Sequence, residues 1–446
     1  MLPNPLHDIS AWRSRAGVSG IPSVCSAHPL VIEAAMRATL PTPLPLLIEA
    51  TCNQVNQDGG YTGMTPLDFR AFILKIAVTV GFPAQRVILG GDHLGPSPWK
   101  SLPASEAIMR AKVMVAAFAA AGFTKLHLDC SMACADDPAK LPDEEIAQRA
   151  AKLAAEAEAS WPGGDVPKPV YVIGTEVPIP GGAMEEIEAL EPTSPAAAQE
   201  TVGLHERAFA AAGLDAVFAR VIGLVVQPGV EFGNQNVVDY ESQAAAGLSA
   251  ALTNLPGLVF EAHSTDYQTR KALSALVQDG FTILKVGPGL TFVLREALYG
   301  LDEIAETLFP RHRPQTLRAV MEQLMCEQPG HWAKYYQGTA AERALQRHYS
   351  YSDRIRYYWS DPWAVASVAS LFALLDSVDL PEPLIGQYLG ARYSAVRAGT
   401  LRPHARTVVL AAVEATMADY IAACIDESTP RPATGLTAKV RNKWLS

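Results

Sequence analysis

The sequence predicts an α/β protein, a (β/α)8 TIM barrel followed by a helical C-terminal extension, and three observations carry that expectation. Eight short apolar or β-rich runs precede about residue 290: 21–26, 46–51, 86–93, 124–131, 169–176, 220–227, 258–264 and 281–287. Alanine-rich stretches of helical periodicity separate them, which is the strand-then-helix order of a barrel wall. The runs are apolar almost throughout, as parallel strands covered by helices on both faces must be. A doubly wound open sheet is the alternative, and eight units suit closure better.

Taken in order, the first two runs lead to a segment, 53–64, that carries Asp58-Gly59-Gly60 and Thr62-Gly63. It is long for a barrel loop, so it reads either as a flap over the mouth or as an ordinary surface loop. Thr65-Pro66-Leu67-Asp68 then opens a helix with a hydroxyl N-cap, proline at the first helical position and an acid in the first turn. Beyond about residue 300 the strand pattern stops, and Pro310, Pro314, Pro329, Pro362, Pro381 and Pro403 punctuate helical stretches. The expected division is a barrel over 1–300 and a helical extension over 301–446, its tail 431–446 weakly structured. Segment 349–359 crowds aromatics around Arg354 and Arg356. Either it packs the extension onto the barrel, or an arginine reaches a substrate phosphate.

Composition narrows the function classes. A formal charge of -10 without any basic run or stripe argues against nucleic acid and anionic membranes as partners, and leaves a small molecule. The six cysteines form no CxxC pair and read as reduced thiols in a cytoplasm. The N-terminus lacks the basic start and apolar stretch of a signal peptide, and the apolar run 364–375 is too short to span a bilayer. No GxxxxGK[ST] loop is present, so no nucleotide is expected.

The chemistry gathers at the ends of the strands. Glu261-Ala-His263-Ser264-Thr265-Asp266 follows one apolar run, Gly90-Gly-Asp92-His93 another, and Asp129-Cys-Ser131 and Gly174-Thr-Glu176 two more. Side chains two apart on a strand share a face, so Glu261 pairs with His263, His127 with Asp129 and Ser131, and Glu49 with Thr51 and Asn53. His93, Glu176 and His263 offer the ligand types of a catalytic zinc site, with Gln227 as a weaker fourth. For any single histidine, a hydrogen-bonded structural role is the competing reading. Asp92, Asp129 and Glu261 are the acid/base candidates. Glu49, Asn53, Ser131 and Ser264 are candidates to line the substrate cavity. Lys285 on the eighth run is either a substrate-binding, ion-paired lysine or a Schiff-base nucleophile. Ser264-Thr265 and Gly287-Pro-Gly289-Leu-Thr291 sit where barrels bind phosphate, although Gly-Pro-Gly is also a plain turn.

At these residues the chain resembles the GatZ/KbaZ family, the accessory subunit of class II tagatose-bisphosphate aldolase. The likeness is carried by Glu49-Ala-Thr-Cys-Asn-Gln-Val-Asn-Gln57, Gly59-Gly-Tyr-Thr-Gly-Met64, Gly90-Gly-Asp-His-Leu-Gly-Pro96, His127-Leu-Asp-Cys-Ser131, Gly174-Thr-Glu176, Glu261-Ala-His-Ser-Thr-Asp-Tyr-Gln268, Leu284-Lys-Val-Gly-Pro288 and Tyr349-Ser-Tyr-Ser-Asp-Arg-Ile-Arg-Tyr-Tyr358. The resemblance implies a relative of the zinc aldolases in galactitol, N-acetylgalactosamine or tagatose breakdown. In that likeness Asp92-His93 matches the aldolase aspartate and first zinc ligand, His263 matches a second, and Gln227 stands where aldolases have another histidine. Similar proteins are regarded as metal-dependent ketose 4-epimerases.

The expected function is therefore divalent-metal carbonyl chemistry, of aldolase type or C4 epimerisation, on a ketohexose such as tagatose or fructose or its phosphate. Zinc is the foremost metal, with manganese, nickel or cobalt open. The alternatives are a non-catalytic stabilising subunit partnered by a class II aldolase catalytic chain, and a Schiff-base aldolase using Lys285. A homo-oligomer is expected.

Overall fold

The structure, a computed structural model, describes residues 3–14, 17–175, 190–310 and 314–425. Eight parallel strands close into a barrel: β1 Ile21–Val24, β2 Leu46–Thr51, β3 Val87–Leu94, β4 Lys125–Leu128, β5 Val170–Ile173, β6 Val221–Val226, β7 Val259–Ala262 and β8 Phe281–Val286. Each lies in one of the eight runs, or within one residue of it, and helices follow the strands around the outside, as a (β/α)8 barrel requires. A two-residue antiparallel ribbon, Glu231–Phe232 with Val237–Val238, is inserted after β6.

Two apolar layers hold this wall. One lies between strands and helices. The other fills the lower barrel with Ile21, Leu47, Ile88, Val170, Val172, Ile222, Val225, Val259 and Ile283. Burying each such side chain contributes roughly 1.5–3 kcal/mol. Leu6 and Ile9 join that lower layer, and Asn4 Nδ2 ties the N-terminal segment down by donating to Thr124 O at 2.8 Å and Lys168 O at 3.0 Å. The base of the barrel is thus sealed with hydrocarbon, and the polar interior begins above it.

Local signals behave as their chemistry dictates. Thr65 and Asp68 form a reciprocal capping box on the helix Pro66–Val80. The loop 53–64 closes on itself: Tyr61 N donates to Asn53 O at 3.0 Å, and Thr62 Oγ1 to Gln54 O at 2.7 Å. Its Tyr61 ring meets Tyr357 edge-on at 4.7 Å, which sets the loop against the C-terminal region.

The helix Pro288–Leu308 runs unbroken across residue 300, and the chain ends its described course with Ala405–Cys424. That last helix lies against Pro29–Thr39, Arg270–Gln278 and Pro288–Leu308, and Cys424 O accepts from Ser19 N at 2.9 Å just before β1. Unlike the shorter apolar helix Pro362–Leu375, it is long and apolar enough to cross a membrane. Half of its apolar window is buried against the barrel. The expected weakly structured tail, 431–446, lies outside the described residues.

Candidate active site

Inside the barrel, directly above the apolar layer, four strands contribute a wholly buried charge layer. Lys125 Nζ lies 2.5 Å from Glu49 Oε1 and 2.7 Å from Glu261 Oε2. Lys285 Nζ contacts Glu49 Oε2 and lies 2.7 Å from Asp92 Oδ1 and 4.0 Å from Glu261 Oε1. Charges this deep persist only because each has several opposite partners. Burial works against the Lys285 ammonium, but Asp92, Glu49 and Glu261 outweigh it and hold its pKa well above the ordinary lysine value. Glycine is required beside this layer: a Cβ on Gly90 would sit 2.7 Å from the Glu49 side chain.

One level higher stand three imidazoles. The ring centroids of His93 and His263 are 4.9 Å apart, His93 and His127 5.1 Å, and His127 and His263 5.3 Å. Each ring meets a carboxylate: His93 Nδ1 lies 2.8 Å from Asp92 Oδ2, His127 Nδ1 2.9 Å from Asp92 Oδ1, and His263 Nε2 3.0 Å from Glu261 Oε1. The His93 amide also points at His127 Nδ1 from 3.2 Å. One nitrogen cannot accept there and donate to Asp92 at once, and the shorter contact to a carboxylate favours Nδ1–H donating to Asp92.

Asp92 and His93, adjacent in sequence, reach the same site because β3 is irregular. Its register against β4 shifts between Gly91 and Leu94, and His93 takes φ 49°, in the left-handed region. Such a conformation costs roughly 1–2 kcal/mol for a residue with a Cβ. Ser264 at φ 52°, just past β7, is bent in the same way. Both residues line a cavity of about 80 Å³ with Asn53, Asp92, His263, Lys285 and Arg356. A larger one of about 390 Å³ adjoins it, and the two share Cys25, Gln54, Tyr61, Gly287 and Arg356.

The electrostatics follow from burial and pairing. Burial alone would raise the Asp92 pKa, but His93 and then Lys285 hold it well below the usual carboxylate range. Glu261 is held low in the same way by Lys125 and Lys285. Burial pushes His263 down to about 3. His93 moves the other way: burial lowers it, and Asp92 more than compensates.

This donor set suits a divalent cation. One ligand atom each from Asp92, His127, Glu261 and His263 falls within 4.8 Å of the others. His127 Nε2 is buried without a hydrogen-bond partner among the described residues. A carboxylate fixing one imidazole nitrogen while the other is left open is the arrangement that metal-binding histidines use.

Several sequence expectations change in this light. Gln227 does not face the imidazoles, because its Oε1 accepts from Gly229 N at 2.8 Å and Val230 N at 3.0 Å and so caps its own turn. Glu49 lies beneath the mouth as a counter-ion for two lysines rather than on the cavity wall. Asp129 turns its Oδ1 to Ser131 N at 3.0 Å and Ser131 Oγ at 2.6 Å, so those two residues bond each other beside the site instead of lining its cavity. Arg354 is spent on packing, 3.0 Å over the Tyr335 ring with Nη1 donating to His331 O at 2.9 Å. Lys285 Nζ is engaged by Glu49 and Asp92, which favour its ammonium over the free amine that a Schiff-base nucleophile needs. Glu176 lies outside the described residues. Of the residues the sequence reading did not assign, His127 and Lys125 matter most. The alternation Lys125-Leu-His127 places both on the inner face of β4 and was the signal available to find them.

Comparison with known proteins gives this site a context. Residues 6–425 match the family described as D-tagatose-1,6-bisphosphate aldolase subunit GatZ/KbaZ-like. A curated relative from Agrobacterium fabrum (strain C58 / ATCC 33970), D-tagatose 6-phosphate 4-epimerase, is 53% identical over 418 residues, 94% of this chain and 98% of the relative. A crystal structure described as a probable tagatose 6 phosphate kinase from Sinorhizobium meliloti 1021 is 58% identical with a TM-score of 0.84, covering 91% of this chain and 100% of that one. The chain belongs to the GatZ/KbaZ-like family.

Proposed function

We propose that this chain is a divalent-metal-dependent 4-epimerase of a ketohexose phosphate, acting on tagatose 6-phosphate or its C4 epimer. The observation that carries this reading is the trio His93, His127 and His263, each ring against a carboxylate, in and beneath a cavity that also presents Lys285 and Arg356. The name of the Agrobacterium relative supports the substrate.

The residues that would hold the cation are drawn from His93, His127, Glu261 and His263, leaving Asp92 as the acid/base group, with zinc foremost and manganese, nickel or cobalt as alternatives. When bound, a cation here supplies Lewis-acid polarisation of the ketose carbonyl. The protein's own groups do the rest. Asp92, on the cavity wall, is placed to take the proton of the C4 hydroxyl. Loss of that proton breaks the C3–C4 bond, whose electron pair passes into a C2–C3 enediolate of the three-carbon fragment, opposite a C4 aldehyde. The Lys285 ammonium stabilises the enediolate's charge. Turning the aldehyde face, re-forming the bond and returning the proton inverts C4 with no net consumption of anything. The Arg356 guanidinium, lining both cavities, is the candidate partner of the phosphate.

The test is a metal analysis of the purified chain followed by assay of tagatose 6-phosphate and fructose 6-phosphate interconversion with and without chelator. Activity that survives exhaustive metal removal would reject the metal, and a metal-loaded chain that turns over no ketose phosphate would reject the enzyme. In the latter case the family description favours a second reading, an accessory subunit of an aldolase. Then a partner aldolase would lose stability when this chain is withheld. The kinase name of the Sinorhizobium protein finds no support in this chain's residues, which contain no phosphate-binding GxxxxGK[ST] loop.

A further inference from the structure

Barrels of this architecture frequently hold a substrate phosphate on backbone N–H groups of the loops after the seventh and eighth strands, at a helix N-terminus. In this chain those donors are already engaged. Asp266, four residues beyond the end of β7, accepts through Oδ1 from Gly287 N at 2.9 Å and Gly289 N at 2.7 Å. These amides open the helix Pro288–Leu308. The carboxylate is built into the wall: Asp266 is 3% exposed, and a Cβ on Gly289 would meet its Oδ1 at 3.0 Å. The same wall faces the reaction cavity, where Asp266, Gly287 and Pro288 stand beside Ser264, Lys285 and Arg356.

We infer that Asp266 is a specificity-determining residue, a resident anion that fills the phosphate subsite of the seventh and eighth strand loops and thereby restricts the chain to ketoses carrying a single phosphate. A phosphate brought to that wall would have to compete with the carboxylate for the same two N–H groups and would lie against its negative charge. A hydroxymethyl group meets no such opposition and can donate a hydrogen bond to the carboxylate. The end of the sugar that reaches Asp266 is therefore the unphosphorylated one, and the phosphate lies on the side of Arg356 that faces the larger cavity, which Asp266 does not line. This inference rests on the ketose phosphate reading above and sharpens it: the substrate is a monophosphate, although the family's description refers to a 1,6-bisphosphate.

The test is equilibrium binding by calorimetry of a hexitol 6-phosphate and a hexitol 1,6-bisphosphate, which lack the carbonyl and do not react, to the full chain and to Asp266→Asn. Asparagine keeps an acceptor for Gly287 and Gly289 while removing the charge. The unaltered chain should bind the monophosphate at least ~10-fold more tightly than the bisphosphate, the size that a desolvated like-charge contact readily supplies. Asp266→Asn should narrow that gap to ~3-fold or less, chiefly through tighter bisphosphate binding, because an uncharged side chain no longer repels the second phosphate. Equal binding of the two ligands by the unaltered chain would overturn the inference without reference to any variant, and so would a gap that Asp266→Asn leaves unchanged. Turnover of tagatose 6-phosphate is a separate readout. Its absence would remove the epimerase reading while the discrimination between the two hexitols could still be measured.

Discussion

His127 Nδ1 lies 2.9 Å from Asp92 Oδ1, an imidazole on β4 held by a carboxylate on β3, and His127 is fully buried beneath the mouth. The contact orients the ring and leaves Nε2 as the open nitrogen, without a partner among the described residues. A ring so placed belongs to the proposed cation site and not to the substrate wall. His127→Ala should lower metal affinity by ~10–100-fold and reduce kcat to a similar degree, with KM for the sugar less affected. Metal titration by calorimetry alongside steady-state kinetics checks this, and unchanged metal affinity would place His127 outside the site.

As the shared cationic partner of Asp92 and Glu49, Lys285 is expected to act electrostatically rather than as a nucleophile. Its removal in Lys285→Met leaves buried carboxylates facing each other, which should cost about 3–5 kcal/mol of stability as well as activity. Borohydride added during turnover of the unaltered chain should leave no sugar on Lys285 by mass spectrometry. A trapped adduct would reinstate Schiff-base chemistry.

The two neighbouring arginines should separate cleanly. Arg356 lines both cavities, so Arg356→Ala should raise KM for a ketose phosphate by ~10–100-fold while leaving the unphosphorylated sugar unaffected. Arg354 packs on Tyr335 and bonds His331 O, so Arg354→Ala should lower stability by about 1–3 kcal/mol and leave KM alone. Paired kinetics and thermal melts on both variants distinguish the roles.

Glu231, in the ribbon after β6, is lifted by burial to about 7, against an accepted hydrogen bond from Phe232 N that pulls it down. The folded state therefore holds this proton more tightly than the unfolded chain does. Stability from the group is fully present below about pH 4.5 and is lost as pH rises through about 7. Glu231→Gln cannot ionise, so its stability relative to the unaltered chain should improve from pH 5 to pH 8, by up to about 3 kcal/mol. Melting temperatures across that range check the sign, and a relative stability independent of pH would show that Glu231 titrates normally.

The elements that were legible in the sequence share a physical basis. Strands β1 to β8 are buried on both faces, so each is written as a mostly apolar run, and polar residues at its end are conspicuous. His93 and His263 stand out for that reason, and Asp92 with them. His127 and Lys125 were harder to read because they lie within β4 itself, where a charged residue in a short run looks like its boundary. Gln227 misled in the opposite direction. It ends a strand as the others do, but a carboxamide two residues before Gly229 finds backbone donors in its own turn, and that local bond takes it out of the cavity.

The sequence by itself determined that eight strands alternate with helices and that acids and imidazoles cluster at strand ends, because apolar periodicity and burial are properties of short segments. Only the tertiary structure decided which of those groups face one another. Barrel closure brings Glu49, Lys125, Glu261 and Lys285 into one buried layer, the shifted register of β3 turns Asp92 and His93 into the same space, and Asp266 reaches across to the donors of Gly287 and Gly289. Those meetings depend on register and backbone bends between strands far apart in the chain, and no local pattern encodes them.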